Sequence, residues 1–287
     1  MMLVQVAVAS LPGGSALQPV RADRKAKELV ACIVEPRADM WAVIDHVVQN
    51  VADFLGPSVM IQLYHGNTTD VCEGEGDSKG EASSTCQLHR EGRVELHALG
   101  VDNLNDSEYS QLLATKSFWE TKLAWDKTLI FQTDSVFCNA TEEKMDNFMH
   151  LDYVGARAYE EWKGLIDGGN GGFSLRDTQM SLDCSSENGW TEGLGEDAFF
   201  IRCFRERGGR LATKVEQERF ATQNYFAARS LAAHQVNVEM RWTDPANVSA
   251  FQEYCPEYLE TMKLLGQTGT AFHQNTGTPM KSSAGYV

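Results

Sequence analysis

Short apolar runs alternate with amphipathic segments over the first half of the chain, and this alternation is the feature that most restricts the fold. The run LVACIVEPR, centred on residues 31–34, predicts a buried strand. Apolar residues then recur at helical spacing from Ile44 to Leu55, and Gly56-Pro57 ends that helix. The runs VMIQLYHG and RVELHALG predict two further strands. Strands that alternate with helices predict an α/β fold with an open, mostly parallel sheet in one domain.

The second half of the chain continues with stronger single segments. Four segments predict helices: SEYSQLLATKSFWETK, TEEKMDNFMH with Thr141 as its cap, GEDAFFIRCFRERGG, and the terminal CPEYLETMKLLG. Two segments predict strands: KTLIFQTDSVFC, which is the strongest strand of the chain, and LATKV, which is a late strand. We expect the domain to cover residues 29–266, between a poorly ordered extension (1–28) and a disordered tail (267–287). A flexible acidic insertion is expected at about residues 69–92.

Charge and composition argue against some classes of function. The formal net charge is −15 and the pI is near 4.9, so a nucleic-acid surface, which needs clustered Lys and Arg, is not expected. No apolar run approaches the length of a membrane span. The N-terminal stretch MMLVQVAVASLPGGSA has no basic residue before its apolar part, so it is a poor match to a signal peptide.

Cysteines and glycosylation sequons leave the compartment open. Cys72 and Cys86 bracket the acidic insertion, so a disulfide between them is one interpretation of the seven cysteines. Seven free thiols in an intracellular protein is the other. The sequence also has four sequons that matter only in a secretory compartment, at Asn67, Asn105, Asn139 and Asn247. The cytoplasm and a secretory lumen both remain open.

Polar residues follow three of the predicted strands, where ligands of open α/β sheets bind. Glu35 and Arg37 follow the first strand, His65 the second and Asp134 the strongest one. A carboxylate at the end of a buried strand is costly unless it is paired, and one use for Asp134 is to hold Mg²⁺ or Mn²⁺ against a diphosphate. The plain alternative is an aspartate that caps the next turn.

Three later features could complete a site. The run GGNGGFSLR, with Gly169, Asn170, Gly171 and Gly172, lacks both the P-loop and the dinucleotide-binding pattern, but its bare backbone allows close approach of a ligand.

An acidic pair, Glu196-Asp197, opens an apolar helix after a loop that contains Trp190. The pair either complements the helix dipole or supplies a general base and a binding group. Trp190 either stacks on a sugar or packs in the core. His234 lies in an apolar setting and is either a core residue or a metal ligand that completes a site with Asp134.

The successive motifs IVEPR, YHGN, FQTDS, DYVGA, GNGGFSLR, EDAFF and CPE resemble the family called domain of unknown function 5672. Members of that family resemble GT-A-type glycosyltransferases, and the glycine run followed by the Glu-Asp pair is similar to the β-1,4-galactosyltransferase pattern. The resemblance covers about residues 31–257 and implies a GT-A-like open sheet flanked by helices.

The resemblance also implies roles for individual residues. Asp134 takes the place of the metal-binding aspartate of the D-x-D motif, while Gln132 replaces the first acidic residue. A divalent cation, Mn²⁺ or Mg²⁺, would therefore have fewer carboxylate ligands here, with His234 as a partner, or the enzyme would work without one. Asp197 corresponds to the catalytic base, and Glu196 to the residue that holds the acceptor.

The other assignments concern the two substrates. Glu35 and Arg37 lie where the nucleotide binds, together with His65 and Asp134, and residues 169–172 with Trp190 lie where the sugars bind. We therefore expect a transferase that moves a sugar from a nucleotide sugar, UDP-linked by first choice, to the hydroxyl group of a carbohydrate or glycoconjugate with inversion.

Two other classes stay open. One is a catalytically inactive carbohydrate-binding or scaffold protein of the same fold, which the missing D-x-D carboxylate favours. The other is a sugar-phosphate nucleotidyltransferase, which needs Arg and Lys in a glycine-rich loop after the first strand. This sequence supplies only Arg37 there.

Overall fold

The computed structural model describes residues 27–67, 72, 83–158, 164, 167–187, 189–235 and 245–267. Residues 1–26, most of the acidic insertion and the tail beyond residue 267 lie outside the described residues. The strands are β1 Lys27–Glu35, β2 Met60–His65, β3 Val94–Ala98, β4 Trp125–Phe131, β5 Ser135–Phe137, β6 Tyr153–Ala156, β7 Asn170–Asp177, β8 Ala221–Thr222 and β9 Ala232–His234. The helices are α1 Trp41–Leu55, α2 Ser84–Arg90, α3 Asp106–Leu113, α4 Lys116–Glu120, α5 Thr178–Ser186, α6 Glu196–Glu206, α7 Lys214–Phe220, α8 Pro245–Tyr254 and α9 Pro256–Gln267.

A six-stranded sheet with the order β3-β2-β1-β4-β7-β6 forms the centre of the molecule. The first four strands of this order run parallel to one another, while β7 is antiparallel to both β4 and β6. A smaller sheet, β5-β9-β8, lies beside it. The prediction of an α/β fold with an open, mostly parallel sheet in a single domain is confirmed.

The central strand β1 is buried on both faces, as its apolar sequence predicts. Ala31 and Ile33 face one hydrophobic cluster, while Cys32 and Val34 face the other, because successive side chains of a strand point to opposite faces. Helix α1 covers the first face. Its inward side chains are almost fully buried, and each contributes roughly 1.5–3 kcal/mol: Val43, Ile44, Val47, Val48 and Val51.

The strongest predicted strand is two strands in the structure. Strand β4 ends at Phe131, and a turn closed by a hydrogen bond from the Ser135 N–H to the Gln132 carbonyl (3.1 Å) directs the chain into β5. Strand β5 belongs to the smaller sheet. The turn therefore carries Gln132 and Asp134 between the two sheets.

The predicted late strand LATKV is wrong in its second part. Only Leu211 makes a strand-like bridge, to Tyr153. Thr213 accepts a hydrogen bond from the Glu216 N–H, and the Glu216 carboxylate accepts one from the Thr213 N–H, so a capping box starts α7. This local cap outweighs the short apolar pattern.

Two other segments also differ from their predictions. SEYSQLLATKSFWETK forms two helices, α3 and α4, which are separated at Thr115, where the hydroxyl donates to the Leu112 carbonyl. TEEKMDNFMH forms only a short 3₁₀ turn, Met145–Asn147, and the Thr141 hydroxyl accepts from the Glu143 N–H.

The end of the expected flexible insertion is ordered. Residues 84–90 form helix α2, and Ser83 caps it by accepting from the Cys86 N–H. The Asp45 carboxylate of α1 accepts from the Ser83 hydroxyl (2.6 Å) and from the Thr85 N–H (2.9 Å). These bonds fix α2 to α1, so the prediction of a flexible segment is wrong over these residues.

Three disulfides link the chain, and they join Cys72 to Cys86, Cys138 to Cys255, and Cys184 to Cys203. The remaining cysteine, Cys32, is a buried free thiol, and burial raises its pKa to about 11. Of the two interpretations of the cysteines, the structure therefore agrees with the disulfide between Cys72 and Cys86. Within the described residues, no helix is long and apolar enough to cross a membrane.

We predict that a denatured, unreduced sample reacts with iodoacetamide at a single cysteine, Cys32, and that mass spectrometry of peptides shows the other six in the three pairs above. Alkylation of all seven would contradict the disulfide assignment.

The pair Cys138–Cys255 spans 117 residues and the pair Cys72–Cys86 spans 14. Since longer closed loops restrict the unfolded chain more, replacing the first pair by serines should destabilise the protein by roughly 2 kcal/mol more than replacing the second, measured by urea unfolding.

Candidate functional site

The ends of several strands meet at one edge of the main sheet. Glu35 and His65 end β1 and β2 and lie opposite each other in register. The turn that carries Gln132 follows β4 at the same edge. Phe131 of β4 pairs with Phe173 of the antiparallel strand β7, so the glycine-rich start of β7 also lies there.

The first group of polar side chains at this edge consists of Gln132, Asp134 and His234. The pairing of β5 with β9 brings His234 beside the turn after β4. Its Nε2 atom lies 3.2 Å from Gln132 Oε1 and 3.4 Å from Asp134 Oδ1. Its Nδ1 atom lies 3.2 Å from Gln223 Oε1. The imidazole is 2% exposed, so these atoms surround it in place of water.

This arrangement brings together three atoms that can each offer a lone pair, namely His234 Nε2, Gln132 Oε1 and Asp134 Oδ1. When Nδ1–H donates to the Gln223 carbonyl oxygen, Nε2 is unprotonated and faces two further oxygens, those of Gln132 and Asp134. The Asp134 Oδ1 atom is buried and accepts no hydrogen bond from any described residue. Such a histidine, with its other N–H fixed by a carbonyl, is typical of metal ligands.

A divalent cation fits this donor set. Two ligands of an octahedral Mg²⁺ or Mn²⁺ ion at about 2.1 Å lie about 3 Å apart, and the two His234 distances are close to that value. Across the part of the chain that the structure describes, no group of three or more His, Cys, Asp and Glu side chains could hold a metal. A cation bound between His234 and Asp134 would therefore need the amide oxygen of Gln132 as a third protein donor.

The second group of polar side chains is formed by Glu196 and Asp197 at the start of α6. The Asp197 Oδ1 atom accepts from the Ala198 N–H (2.7 Å), and its Oδ2 atom accepts from the Gly171 N–H (3.3 Å). Burial, followed by the charge of Glu196, raises the pKa of Asp197 to about 6. A half-buried carboxylate with such a pKa is well suited to accept a proton near neutral pH.

Glu196 is held by a residue that the sequence reasoning missed. Both of its oxygens accept from the guanidinium of Arg176, at 2.5 and 3.0 Å. Arg176 is completely buried, and its guanidinium lies 5.1 Å from the ring centres of Tyr153 and Phe200. A cation in the apolar run GGFSLR needs a buried partner, and this signal could have pointed to Arg176.

Tyr109 of α3 is a second residue that the sequence reasoning missed. Its buried hydroxyl faces Gln132, and no described residue forms a hydrogen bond of normal geometry with it. Burial, followed by the charge of Glu196, raises its pKa. The hydroxyl thus lies near both polar groups.

The glycines of the run GGNGGFSLR make room for these side chains. A Cβ atom on Gly171 would lie 2.2 Å from Glu196 Oε1, and one on Gly172 would lie 2.2 Å from His234 Nε2. Gly169 has φ = +98° and packs against the backbone of Gly155. The bare backbone therefore accommodates the protein's own polar groups, a role that the sequence analysis did not predict.

Other predicted site residues have internal partners. The Glu35 carboxylate accepts from the Arg37 guanidinium at 2.8 and 2.7 Å, and the negative charge of Asp134 also acts on Arg37. The His65 Nδ1 atom contacts the Gly66 carbonyl oxygen at 2.9 Å. Their positions at the carboxyl ends of β1 and β2 agree with the prediction.

Asn170 and Trp190 take part mainly in local structure. The Asn170 side-chain oxygen accepts from the Gly172 N–H (2.9 Å) and shapes the start of β7. The Trp190 indole N–H donates to the Leu194 carbonyl (2.9 Å), and its ring packs partly buried against the second hydrophobic cluster. No described contact joins Trp190 to the acidic pair.

The profile of a family described as "Protein of unknown function (DUF5672)" matches residues 93–236, which is half of the chain. The chain belongs to this family. The match includes β4, the glycine-rich strand, the acidic pair and His234, so the residues of both polar groups lie inside the family region. No curated protein matches the sequence significantly.

Among solved structures, the chain is similar to the apo form of the glycosyltransferase GlyE of Streptococcus pneumoniae TIGR4. The two share 12% sequence identity, and the TM-score is 0.44. The match covers 84% of this chain and 62% of that chain.

We predict that Gly171→Ala and Gly172→Ala each destabilise the fold, because the added methyl group displaces Glu196 in the first variant and His234 in the second. Both should unfold at least about 1–3 kcal/mol more easily, measured by urea unfolding. Gly189→Ala is the matched control, since its Cβ atom would lie 3.6 Å from the nearest atom. Equal stability of all three variants would contradict the close contacts of Gly171 and Gly172.

Proposed function

We propose that this protein is a glycosyltransferase that moves a sugar from a nucleotide sugar to the hydroxyl group of a carbohydrate or glycoconjugate acceptor. The observation that carries the proposal is the position of Asp197, a carboxylate of raised pKa, across Gly171 and Gly172 from a buried donor set for a divalent cation. Asp197 suits the removal of a proton, and a cation held by the donor set suits the binding of a diphosphate. Sugar transfer from a nucleotide donor can use both.

The cation would be Mn²⁺ or Mg²⁺, held by Asp134, His234 and the amide oxygen of Gln132. When bound, such a cation stabilises the negative charge that develops on a diphosphate leaving group. The three protein donors include only one carboxylate, so the site carries little negative charge of its own. That balance suits a ligand set completed by phosphate oxygens.

Asp197 would take the proton of the acceptor hydroxyl. Its side chain is half-buried at the start of α6, and the Gly171 N–H fixes its orientation. An acceptor oxygen that loses its proton to Asp197 attacks the sugar from the side opposite the diphosphate, so we propose that the sugar is transferred with inversion. A product with retained anomeric configuration would exclude this course.

The donor would lie along the carboxyl ends of β1, β2 and β4, where Glu35, Arg37, His65 and Asp134 are found. We propose a UDP-linked sugar as the donor. Trp190 and residues 169–172 would lie on the acceptor side of this arrangement. The three disulfides support an oxidising compartment, such as a secretory lumen, as the place where the protein folds.

Nucleotide binding is tested first by thermal unfolding with UDP or GDP, each with and without Mn²⁺. A ligand at a hundred times its dissociation constant adds about 2.7 kcal/mol to stability, which raises the melting temperature by roughly 5–10 °C for a domain of this size. We expect a shift with UDP that increases with Mn²⁺. The absence of a shift with either nucleotide would favour a carbohydrate-binding or scaffold protein.

The cation site is tested by Asp134→Asn, which removes the one carboxylate of the donor set. We expect the additional shift with Mn²⁺ to disappear in this variant. Asp146→Asn is the control, because Asp146 is an exposed carboxylate that lines a cavity beside the start of β1. An equal Mn²⁺ response in both variants would place the cation elsewhere.

The base is tested by Asp197→Asn. General-base catalysis is worth roughly 10²–10⁴ in rate, so transfer of radiolabelled sugar should fall by that factor while the thermal shift with UDP remains. In the unmodified enzyme, the ionised form of Asp197 is active, so kcat/KM should fall as the pH drops below about 6. Unchanged transfer by the variant would exclude Asp197 as the base.

A further inference from the structure

Arg176 lies beside the acidic pair, and each of its three nitrogen atoms donates at least one hydrogen bond. Its Nε–H donates to the Ser174 hydroxyl (2.9 Å), Nη1 donates to Glu196 Oε2, and Nη2 donates to Glu196 Oε1 and to the Gly171 carbonyl (3.2 Å). Its side chain has no exposure to solvent, while that of Glu196 is 7% exposed. The two side chains therefore form a buried ion pair with fixed geometry.

This ion pair is connected to Asp197 through one residue. The Gly171 carbonyl accepts from Arg176 and from the Ser174 hydroxyl (2.8 Å), while the Gly171 N–H donates to Asp197 Oδ2. A change in the position of Arg176 would thus move the backbone group that orients Asp197. The link between Arg176 and Asp197 is short because Gly171 has no side chain, which lets both residues approach its backbone.

Two charged groups act on Asp197, namely Glu196, its neighbour on α6, and Arg176 of β7. The Tyr153 hydroxyl of β6 is also near Asp197, and burial keeps this hydroxyl neutral by raising its pKa. Two adjacent carboxylates in one enclosure repel each other, and one of them would take up a proton if no cation were present. Arg176 compensates the charge of Glu196 by donating hydrogen bonds to both of its oxygens.

We propose that Arg176 is a positioning residue that holds both oxygens of Glu196 and, through Gly171, fixes the orientation of Asp197, so that Asp197 alone takes the proton of the acceptor. This inference rests on the proposed function, and it gives Glu196 a supporting role instead of contact with the acceptor. The charges of the ion pair also influence the pH above which Asp197 is deprotonated and can accept a proton. A purely structural role, in which the pair only joins β7 to α6, is the alternative to be tested.

The two partners of the pair have opposite effects on Asp197, and this provides the test. Glu196→Gln removes a negative charge, so the pKa of Asp197 should fall and the acidic limb of the kcat/KM profile should move down by roughly one pH unit. Arg176→Met removes a positive charge, so the same limb should move up by a similar amount. A structural pair would instead lower stability and activity in both variants, with the limb unmoved.

A measurement without turnover separates this inference from the proposed function. The carboxyl carbon of Asp197 can be followed by NMR in protein labelled with ¹³C-aspartate and assigned with Asp197→Asn. We expect its titration midpoint to move down in Glu196→Gln and to stay in place in the control Glu206→Gln, which alters an exposed carboxylate at the far end of α6.

The outcomes of this experiment are distinct. A shifted titration in a protein that transfers no sugar would support the role of the ion pair and refute the proposed function. An unshifted titration in Glu196→Gln would overturn the role of the pair, whatever the activity. Because Glu196→Gln keeps the shape of the side chain and one acceptor for Arg176, it tests the inference even if Arg176→Met fails to fold.

Discussion

The absence of side chains at Gly171 and Gly172 is the constraint on which the site depends. These consecutive residues of β7 point in opposite directions, as neighbours on a strand do. One leaves room for Glu196 and Asp197, and the other leaves room for His234 and Gln132. Two polar groups from distant parts of the chain can therefore approach the same short piece of backbone.

Two ion pairs lie in this region. Arg176 is paired with Glu196, and Glu35 is paired with Arg37. A buried ion pair gains little stability over an apolar pair of the same size, but the loss of one partner leaves an uncompensated charge that is costly. Such pairs hold their groups in one arrangement, and this is the property that a catalytic site requires.

Lys122 shows the same principle on the second face of the sheet. Its ammonium group is fully buried and donates to the Tyr64 hydroxyl, the Phe118 carbonyl and the Thr121 hydroxyl. Burial lowers its pKa to about 8. With three acceptors for three N–H groups, Lys122 serves as a structural cation that joins α4 to β2.

Local sequence signals predicted the elements well where one signal dominated. The apolar spacing from Ile44 to Leu55 gave α1, and the alternating apolar runs gave β1, β2 and β3. Predictions were wrong where a local cap or a turn competed with a short apolar pattern, as at Thr213 and at residues 132–134. The edge of the sheet at which Glu35, His65 and Asp134 meet followed from the parallel strands, because their carboxyl ends must lie together.

The sequence by itself determined the α/β class, the position of the candidate site at one sheet edge, and the candidate residues Asp134, Asp197 and His234. Only the tertiary structure decided which groups are paired. The bond between Arg176 and Glu196 joins residues 20 positions apart, and the contact of Gln132 with His234 joins residues 102 positions apart. No local periodicity encodes such contacts. They arise because an antiparallel strand lies between β4 and β6 and because two of its residues have no side chain.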